Sequence, residues 1–555
     1  MVEQGHDEFV KRFESICGEF VDKAAITYLR NDDSRTLITF KDIHKFTLSA
    51  KKKFDDVGLH AGDRVAIIAS HSPFSIIAGL SLAYSNITTV LIDVSLPSEE
   101  INRLLELSDV RAVFTTAEIF ENLDTALITD IPIFDITTII TNLTVCESSV
   151  DSVTKKATVD PYIDVIAILY SSGTTASVKG VMTKYQTAMR AIDLYIINSG
   201  LTAKMTNLVV LPFNHVSGYG TVLQHFFTGC GIGMIEDVDA SKLAKGLLSF
   251  QPVHFAMVPR VFEVIESKIR NELRKKGVLV EKYVLSMLAY SGFLRRYFGI
   301  NIGRKLFKNI SHKVFGVNMT GLGFGATKIK PSTEKFYLNL GYDWANYYAL
   351  TETYMICVGT GLHDRYPVGT EGYVKRLPGI ELKIHNPDEN GIGEIRVKTV
   401  LIMKGYFRDP ELTAAAFDDD GYFKTGDLGY IDKKDYLHVT GRIKEAIMLH
   451  TGKKVAPSDV DSFYSTLMGD VVFASCGVPN KNGTYDEIHL FIEKCQLTPD
   501  EQQELHNRVM ELSGQTSTLY QLAGLHFIDE IPMTSIKKVK RFQLKEMALA
   551  KYNKS

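Results

Sequence analysis

The sequence predicts an α/β fold in which one large compound domain is followed by a smaller one. At 555 residues, the chain is too long for a single hydrophobic core. Short apolar runs also alternate with longer helical patterns. The runs typical of strands lie at residues 65–69, 89–94 and 208–211, and those typical of helices at residues 72–85, 98–107 and 218–228. This alternation predicts parallel or mixed sheets with helical crossovers.

Two stretches between these units differ in composition. Residues 137–160 are polar and lack periodicity, so we expect an exposed connector there. Residues 268–313 contain twelve Lys and Arg residues against Glu272 and Glu281, with apolar residues interleaved. Such an amphipathic basic stretch indicates either a solvated helical face or a surface for weak peripheral contact with a membrane or a phosphate-rich ligand.

Composition and charge favour an ordinary cytoplasmic protein. Apolar residues make up 45% of the chain and charged residues 23%, and the net charge of −3 argues against a nucleic-acid partner. The six cysteines are scattered without metal-ligand spacing, as in reduced cytosolic proteins. The first residues lack the apolar core of a secretory signal, and the most apolar window, residues 74–94, is too polar to span a bilayer.

A loop rich in hydroxyls and glycine follows the apolar run at residues 163–170. Its small residues let backbone N–H groups turn inward, its hydroxyls add donors, and Lys179 adds positive charge, which together suit a triphosphate. A Walker A loop is excluded because Lys179 precedes Gly180, whereas that motif requires Gly-Lys-Ser/Thr. The predicted phosphate ligands are Ser171, Ser172, Gly173, Thr174, Thr175 and Lys179.

With Lys179-Gly180 in place, the loop resembles that of the AMP-forming adenylating superfamily, which includes acyl-CoA synthetases, luciferases and peptide-synthetase adenylation domains. The family has glycine and proline where this chain has Ala176 and Val178. The alanine demands a negative φ where the glycine is unconstrained. The resemblance implies a large N-terminal domain with a distorted barrel-like part, a small α+β C-terminal lid domain, and ATP as the bound nucleotide.

The stretch Tyr348-Ala349-Leu350-Thr351-Glu352 resembles the adenine motif of this family. The resemblance implies that Tyr348 stacks on adenine and that Thr351 offers its hydroxyl to a phosphate. It also implies that Glu352 binds Mg²⁺, a hard cation that prefers carboxylate oxygen.

Upstream, Gly323-Phe324-Gly325-Ala326-Thr327 resembles the segment that lies flat against the adenine ring. The resemblance places Gly325 and Ala326 at the nucleotide, because only small residues allow the backbone to approach the ring. Asn346, two residues before the adenine tyrosine, agrees with the long-chain acyl-CoA synthetase branch and is assigned to the nucleotide site.

Two further motifs resemble the ribose and hinge segments of the family. Thr425-Gly426-Asp427 implies a carboxylate that accepts hydrogen bonds from the ribose hydroxyls. Thr440-Gly441-Arg442-Ile443-Lys444-Glu445 implies that Arg442 binds the ribose or phosphate and that Lys444 is the pivot. The predicted domains are therefore residues 1–443, with the ATP and acyl sites, and residues 444–555, the mobile lid.

Near the end of the chain, Pro532-Met533-Thr534-Ser535-Ile536-Lys537-Lys538-Val539-Lys540-Arg541 resembles the segment that carries the catalytic lysine. Lys538 falls on that lysine, six residues after the proline. Lys537 stands where the family usually has glycine. Lys537 and Lys540 remain alternative registers for the catalytic amine.

His215, in the segment Pro212-Phe213-Asn214-His215, matches the family histidine that borders the acyl pocket and gates entry of the carboxylate. The resemblance adds Gly218 and Tyr347 to this pocket. Tyr347 occupies a position that is usually glycine, so its phenol would shorten or redirect the acyl tunnel. Residues 257–265 and 452–457 favour the long-chain branch.

The motifs together imply ATP-dependent activation of a carboxylic acid, by resemblance a fatty acid, to acyl-AMP, followed by transfer to CoA. The implied catalytic residues are Lys538, His215, Thr351 and Glu352, with ATP, Mg²⁺ and CoA as cofactors. An acyl-AMP ligase that loads the phosphopantetheine thiol of a carrier protein would use the same residues. From a different class, the departures at Ala176, Val178, Tyr347 and Ala349 suit a catalytically weak sensor or scaffold, although the retained charged residues argue against it.

Overall fold

The structure is a computed structural model that describes residues 3–121, 131–140, 145–147, 161–171, 178–360, 367–469, 471–495, 497–534 and 538–552. The strands of these residues are β1 Ala24–Leu29, β2 Arg35–Thr39, β3 Arg64–Ile68, β4 Thr88–Leu91, β5 Ala112–Thr115, β6 Ile133–Asp135, β7 Val145–Glu147, β8 Val165–Ser171, β9 Lys179–Lys184, β10 Thr206–Leu208, β11 Gly231–Ile235, β12 His254–Met257, β13 Gly321–Gly325, β14 Asp343–Leu350, β15 Tyr354–Thr360, β16 Gly372–Tyr373, β17 Ile380–His385, β18 Gly393–Thr399, β19 Gly405–Tyr406, β20 Phe423–Ile431, β21 Tyr436–Arg442, β22 Ile447–Met448, β23 Lys454–Val455, β24 Phe473–Pro479, β25 Asp486–Glu493 and β26 Leu522–Ile528. The α-helices are α1 Glu3–Glu19, α2 Phe40–Asp56, α3 Pro73–Tyr84, α4 Ser98–Ser108, α5 Ala117–Glu121, α6 Tyr185–Ser199, α7 Val216–Phe227, α8 Ala240–Phe250, α9 Pro259–Lys275, α10 Val278–Phe298, α11 Gly303–Leu306, α12 Lys308–Phe315, α13 Pro331–Asn339, α14 Pro410–Ala415, α15 Pro457–Met468, α16 Pro499–Gln515 and α17 Arg541–Tyr552.

The largest sheet has eight strands in the order β19-β9-β8-β4-β3-β5-β6-β7. Strands β8, β4, β3, β5 and β6 run parallel, with α3 and α4 as crossovers, so the predicted α/β class is confirmed. Strand β3 is buried along its whole length, which explains its continuous apolar sequence. The carboxyl ends of β3, β4 and β8 meet at one edge, where ligands bind in open α/β sheets.

Two four-stranded sheets, β10-β11-β1-β2 and β12-β13-β14-β15, complete the α/β part. Strands β12, β13 and β14 run parallel, so the segments after Gly325 and Leu350 leave the sheet at the same edge. A five-stranded antiparallel sheet, β16-β21-β20-β18-β17, follows where the resemblance implied a barrel-like part. It carries the ribose and hinge motifs on two neighbouring strands, β20 and β21.

The last hundred residues form smaller layers with their own core. A ribbon, β22-β23, and a sheet, β24-β25-β26, pack with α15, α16 and α17. The two clusters of buried residues here are formed by residues 447–548 alone. This is the small α+β unit that the fold class predicted, and the boundary at Lys444 stays a prediction.

The structure corrects two of the predicted elements. The expected connector at residues 137–160 is structured where described: Ile136–Ile140 is a 3₁₀ helix that buries Ile136 and Ile139, and β7 follows. The polar residues around these two isoleucines obscured their burial, and residues 148–160 lie outside the described residues. The strand expected at 208–211 already ends at Leu208 in β10, before Pro212, which has no N–H for a ladder.

The basic stretch at residues 268–313 is helical, as its pattern indicated, and comprises the end of α9 together with α10, α11 and α12. Within the described ranges, no helix combines the length and the apolar character needed to cross a bilayer. Free thiols occur at all five cysteines whose side chains are described: Cys17, Cys230, Cys357, Cys476 and Cys495.

Candidate active site

The ribose and hinge motifs lie opposite each other in the five-stranded sheet. Asp427 on β20 pairs in register with Arg442 on β21. Its Oδ1 lies 3.0 Å from Nε of Arg442, and its Oδ2 accepts a hydrogen bond of 2.7 Å from the hydroxyl of Tyr348. Three residues from motifs up to ninety-four positions apart in the sequence therefore form one bonded group.

Burial sets the electrostatics of this group. Burial raises the pKa of Asp427, although Arg442 and the hydrogen bond from Tyr348 act in the opposite direction. The pKa of Tyr348 is well above its usual value because the phenol is buried beside the carboxylate. Burial alone would lower the pKa of the guanidinium, but the charges of Asp427, Glu445 and Glu352 raise it. The group combines hydrogen-bonding oxygens with a fixed positive charge, which suits the ribose and phosphate of a nucleotide.

Lys538 from the C-terminal part of the chain reaches the same group. Burial lowers its pKa and Arg442 lowers it further, whereas Glu445 and Asp427 raise it, so its ammonium is within electrostatic range of all three. Two hydrogen bonds with Thr534 hold its backbone. The Thr534 N–H donates to the Lys538 carbonyl at 2.8 Å, and the Lys538 N–H donates to the Thr534 hydroxyl at 3.1 Å. Two cations within electrostatic range of each other favour the binding of an anion beside them.

Arg541, three residues after Lys538, anchors this segment to the C-terminal part. Its guanidinium lies 2.5 Å from the Asp461 carboxylate and donates a bond of 3.0 Å to the carbonyl of Ser475. It also lies 3.9 Å from Glu445, which belongs to the hinge motif. Arg541 is thus a positioning residue between the lysine segment and the hinge.

The predicted metal ligand and the predicted phosphate lysine are joined by a tyrosine. Glu352 Oε1 accepts a hydrogen bond of 3.0 Å from Tyr406, and the ammonium of Lys179 lies 4.7 Å from the centroid of the same ring. Tyr406 is brought here because β19 pairs with β9, opposite Val181. Tyr406 therefore brings the carboxylate of Glu352 and the ammonium of Lys179 to the same place.

The phosphate loop is described only at its ends. Ser171 ends β8 and Lys179 begins β9, and the two residues pair in antiparallel register, so the loop joins adjacent strands as a hairpin. The two ends of the loop therefore lie at the sheet edge where β4 and β3 also end. The predicted ligands Ser172, Gly173, Thr174 and Thr175, and the departure at Ala176, lie outside the described residues.

The adenine segment runs beside the tyrosine strand. Gly325 ends β13 and pairs with Tyr347 on β14; a Cβ on Gly325 would lie 2.9 Å from the Tyr347 carbonyl oxygen, so the backbones approach too closely for a side chain. Ala326 follows with φ of +70°, a left-handed conformation that is uncommon for alanine. Asn346 uses its amide to donate a bond of 3.0 Å to the Thr370 carbonyl.

Thr351 and Glu352 lie in the turn that follows β14, at the same edge as Ala326. The turn is fixed by a hydrogen bond of 2.7 Å from the Met403 N–H to the Glu352 carbonyl. Lys444 is exposed in the turn between β21 and β22, next to Glu445 but without a contact to the nucleotide residues among those described. Its position suits a linker, and its role as pivot stays a prediction.

His215 and Gly218 begin helix α7 on the other side of the site. Nε2 of His215 lies 3.9 Å from Asp93, which follows β4, and burial lowers the pKa of the imidazole while Asp93 raises it. Gly218 is required by packing, because a Cβ there would lie 1.9 Å from the Pro212 carbonyl oxygen. Val216 between them packs against the apolar cluster that contains Tyr347 and Tyr348.

Tyr347 is occluded by a second tyrosine. Its ring stacks on Tyr195 of α6, with centroids 6.3 Å apart and planes inclined by 30°. Burial raises the pKa of both phenols. Tyr347 also fills the space beside Gly323, where a Cβ would meet its ring at 2.9 Å. Tyr195 in turn lines a cavity with Asn207, Thr221, His225, His254 and Ala256.

Four residues of this arrangement were not assigned from the sequence: Tyr406, Glu445, Arg541 and Tyr195. Glu445 and Arg541 lie inside motifs whose neighbours were assigned, so spacing within each motif could have indicated them. Tyr406 is brought to Glu352 by the pairing of β19 with β9, which no assigned motif contains. Tyr195 lies on a helix of ordinary composition, and only the fold brings it to Tyr347.

No group of three or more His, Cys, Asp or Glu residues capable of enclosing a metal ion occurs in the described part of the chain. Mg²⁺ usually binds through one or two carboxylates together with substrate phosphates and water. Glu352 near the phosphate lysine fits a cation that is held partly by the nucleotide.

A model of the AMP-binding enzyme family matches residues 13–407, well over half of the chain. Among curated proteins, a provisionally named fatty-acid–CoA ligase, fadD11, of Mycobacterium tuberculosis is 27% identical over 69% of this chain and 67% of its own length. A provisionally named acyl–CoA ligase, YdaB, of Bacillus subtilis is 25% identical over 92% of this chain and 94% of its own length. Among solved structures, ATP-bound MatB from Rhodopseudomonas palustris superposes with a TM-score of 0.74 at 21% identity over 98% of this chain and 99% of its own, which establishes the shared fold.

Proposed function

The chain belongs to the AMP-binding enzyme family, and from this membership we propose that it joins a fatty acid to the thiol of CoA through an acyl-AMP intermediate. Its enzyme class is that of the AMP-forming acid–thiol ligases, as its motifs predicted. The observation that carries the proposal is the bonded group Tyr348–Asp427–Arg442, which joins three of the family motifs, with Lys538 of a fourth motif within electrostatic range of its charges. The fatty acid is supported by the name of the mycobacterial relative and by the long-chain features of the sequence.

In the first half-reaction, a carboxylate oxygen of the acid attacks the α-phosphorus of ATP, and the bond to the departing pyrophosphate breaks. Negative charge grows on the non-bridging oxygens, so preorganised positive charge is the main catalytic requirement. Lys538 and Arg442 supply that charge from partly buried positions beside the buried Asp427, where electrostatic interactions are stronger than in water. Asp427 holds the ribose, and Lys179 holds the pyrophosphate together with its loop.

Glu352 would hold Mg²⁺ through the oxygen that Tyr406 does not occupy. The cation supplies charge neutralisation at the phosphates when it is bound. Thr351, beside Glu352 in the turn, donates its hydroxyl to a phosphate oxygen. His215 borders the carboxylate entry, where burial favours the neutral imidazole that does not pair with the incoming acid.

In the second half-reaction, the thiol attacks the acyl carbonyl and AMP leaves. We assign the pivot between the two steps to Lys444, because it lies exposed in the turn that leads into the C-terminal part. Rotation there would withdraw Lys538 and open a path for the thiol, so that one lysine on a moving lid separates the two steps in time. The free thiols at the five described cysteines fit the reducing cytoplasm that we propose as its location.

The deciding experiment is ATP–pyrophosphate exchange with the purified chain and a panel of acids of short, medium and long chain, plus aromatic acids. We expect the highest exchange with a fatty acid and AMP as the nucleotide product. Formation of ADP with every acid would overturn the reaction class, and exchange confined to a non-fatty acid would overturn only the substrate.

The acceptor is settled by a second measurement, because the adenylation residues do not distinguish CoA from a carrier protein. The protein is incubated with its acid, ATP and either CoA or a phosphopantetheinylated carrier protein. We expect the thioester on CoA. A thioester formed only on the carrier protein would assign the chain to the acyl-AMP ligases that load such carriers, and absence of ATP binding by calorimetry would favour a sensor or scaffold.

A further inference from the structure

Helix α10, Val278–Phe298, carries apolar residues on two opposite faces. One face is turned to the protein, where Leu288 and Ser291 are buried and the helix packs against α9 and α13. Arg295, on the same face, donates hydrogen bonds to the carbonyls of Leu338 and Tyr342. The inner face therefore already accounts for the attachment of the helix to the fold.

The opposite face is exposed and aromatic. Five of its residues, between 49% and 82% exposed, form what we call the aromatic stripe: Leu279, Tyr283, Tyr290, Phe293 and Tyr297. Together with exposed Ser286 they follow steps of four and three residues, which line up along one side of an α-helix. Phe298 and Ile300 extend the apolar surface past the end of the helix. A contiguous apolar surface of this kind marks an interaction site.

The residues around the stripe are basic. Glu281 is buried and paired with Arg274 at 2.9 Å, and Glu272 is paired with Lys275 at 2.7 Å, so neither acid offsets the remaining charge. Exposed cations lie on α10 itself, at Lys282 and Arg296, and on the segments that adjoin it in the chain, at Lys276, Lys305 and Lys308; Arg296 lies 5.9 Å from the ring centroid of Tyr297. For Lys276, Lys282 and Lys305, no carboxylate of the described residues lies within ion-pair distance.

The positive charge around the stripe favours one of its two possible binding partners, a second copy of the chain or a lipid surface. A second copy of the chain would bring two basic rims together, and like charges at an interface are unfavourable. An anionic lipid surface complements the rim and accepts the aromatic rings at the level of its headgroups. We propose that the aromatic stripe and its basic rim seat the protein on the surface of an anionic bilayer, with α10 lying flat in the interface.

Tyrosine suits this position because its apolar ring enters the acyl boundary while its hydroxyl remains in the wet headgroup layer. Three of the five residues of the stripe are tyrosines, and the lysine stems beside them can place their ammonium groups at the phosphates. None of the side chains of the stripe or its rim belongs to the predicted nucleotide or acyl residues.

The test is sedimentation of the full-length protein with vesicles of phosphatidylcholine alone or of phosphatidylcholine with phosphatidylglycerol. We expect binding only to the anionic vesicles. Phe293→Ser combined with Tyr297→Ser should weaken binding about tenfold or more, and each of Lys276→Gln and Lys282→Gln should weaken it roughly fivefold, the scale for one cation near an anionic surface. Ile197→Ser, at an exposed apolar residue outside the stripe, is the matched control and should bind normally.

Unchanged binding of the Phe293→Ser, Tyr297→Ser variant would overturn the proposal, as would equal binding to neutral and anionic vesicles. Size-exclusion chromatography with light scattering separates the alternative: a dimer that the same variant abolishes, without binding to vesicles, would assign the stripe to self-association. Unaltered thermal unfolding and unaltered exchange with a soluble acid show that each variant is folded. Vesicle binding does not depend on the reaction, so this test stands apart from that of the ligase activity.

Discussion

The nucleotide side and the acyl side of the candidate site are built differently. On the nucleotide side, Tyr348, Asp427 and Arg442 are linked by two short contacts, and Lys538 approaches them from the C-terminal part. On the acyl side, the principal contact is the stacking of Tyr347 on Tyr195. The first side is a charged, hydrogen-bonded network, and the second is an aromatic partition beside a cavity.

In the proposed function, the difference reflects what each side must recognise. A nucleotide presents the same hydroxyls and phosphates in every turnover, so fixed partners with defined geometry are favourable there. An acid is selected by the size and shape of a pocket, and one aromatic side chain can change both. We therefore expect substitutions on the nucleotide side to change the rate for all acids and those on the acyl side to change the choice of acid.

The largest effect is expected at Lys538. Lys538→Ala removes a buried positive charge beside Arg442, so adenylate formation should slow by roughly 10²–10³-fold, the scale for one contact made in the transition state. Thioester formation from supplied acyl-adenylate should persist. Pyrophosphate exchange and single-turnover transfer measure the two steps separately.

Lys540→Ala and Lys537→Ala are the controls for the alternative registers of the motif. We expect neither to slow exchange by more than a few-fold. If Lys540→Ala abolished exchange and Lys538→Ala did not, the catalytic amine would be Lys540. The charge of Lys538 would then not belong to the catalytic network of the nucleotide side.

A smaller loss is expected for Asp427→Asn. The substitution keeps the shape of the side chain but removes the charge that Arg442 and Tyr348 both contact, and a hydrogen bond to a charged group contributes about 1.5–3 kcal/mol. The KM for ATP should rise by about 10–100-fold with every acid. Asp435→Asn, at an exposed ion pair with Lys375 near the same sheet, is the control and should leave the KM unchanged. An increase in the KM for ATP that occurred only with certain acids would contradict the expectation that the nucleotide side affects all acids equally.

Much of the nucleotide side could be predicted from the sequence because its residues lie in short motifs with fixed spacing. Asp427 and Arg442, fifteen residues apart, are brought into register by one β-hairpin, so local sequence determines their contact. The acyl side depends on packing between distant elements: Tyr195 lies on α6 and Tyr347 on β14. No spacing in the sequence predicts the contact between Tyr195 and Tyr347. The burial of Ile136 and Ile139 was missed because the residues around them are polar and their packing partners belong to other elements.

On the acyl side, Tyr347→Gly should change the preference among acids. The glycine removes the ring that stacks on Tyr195 and fills the space beside Gly323, so the pocket should extend towards the cavity behind it. Competition between acids of different chain length should shift towards longer acids by about tenfold, within the range for added methylene groups in an apolar pocket. Tyr347→Phe keeps the ring and should preserve the preference. An unaltered preference in Tyr347→Gly would mean that the acid does not enter here.

The smallest effect is expected at Ala326, where the nucleotide side contains a strained backbone. Its φ of +70° costs an L-residue roughly 1–2 kcal/mol, whereas glycine adopts it freely but loses about 0.5–1 kcal/mol through greater freedom of the unfolded chain. Ala326→Gly should therefore raise the free energy of unfolding by about 0.5–1 kcal/mol, measured by urea denaturation without nucleotide. Ala289→Gly, on the exposed side of α10, is the same substitution in a helical backbone and should lower it by about 1 kcal/mol. Equal losses in both variants would mean that Ala326 is unstrained in solution, and the rigid geometry ascribed to the nucleotide side would then rest on its side chains alone.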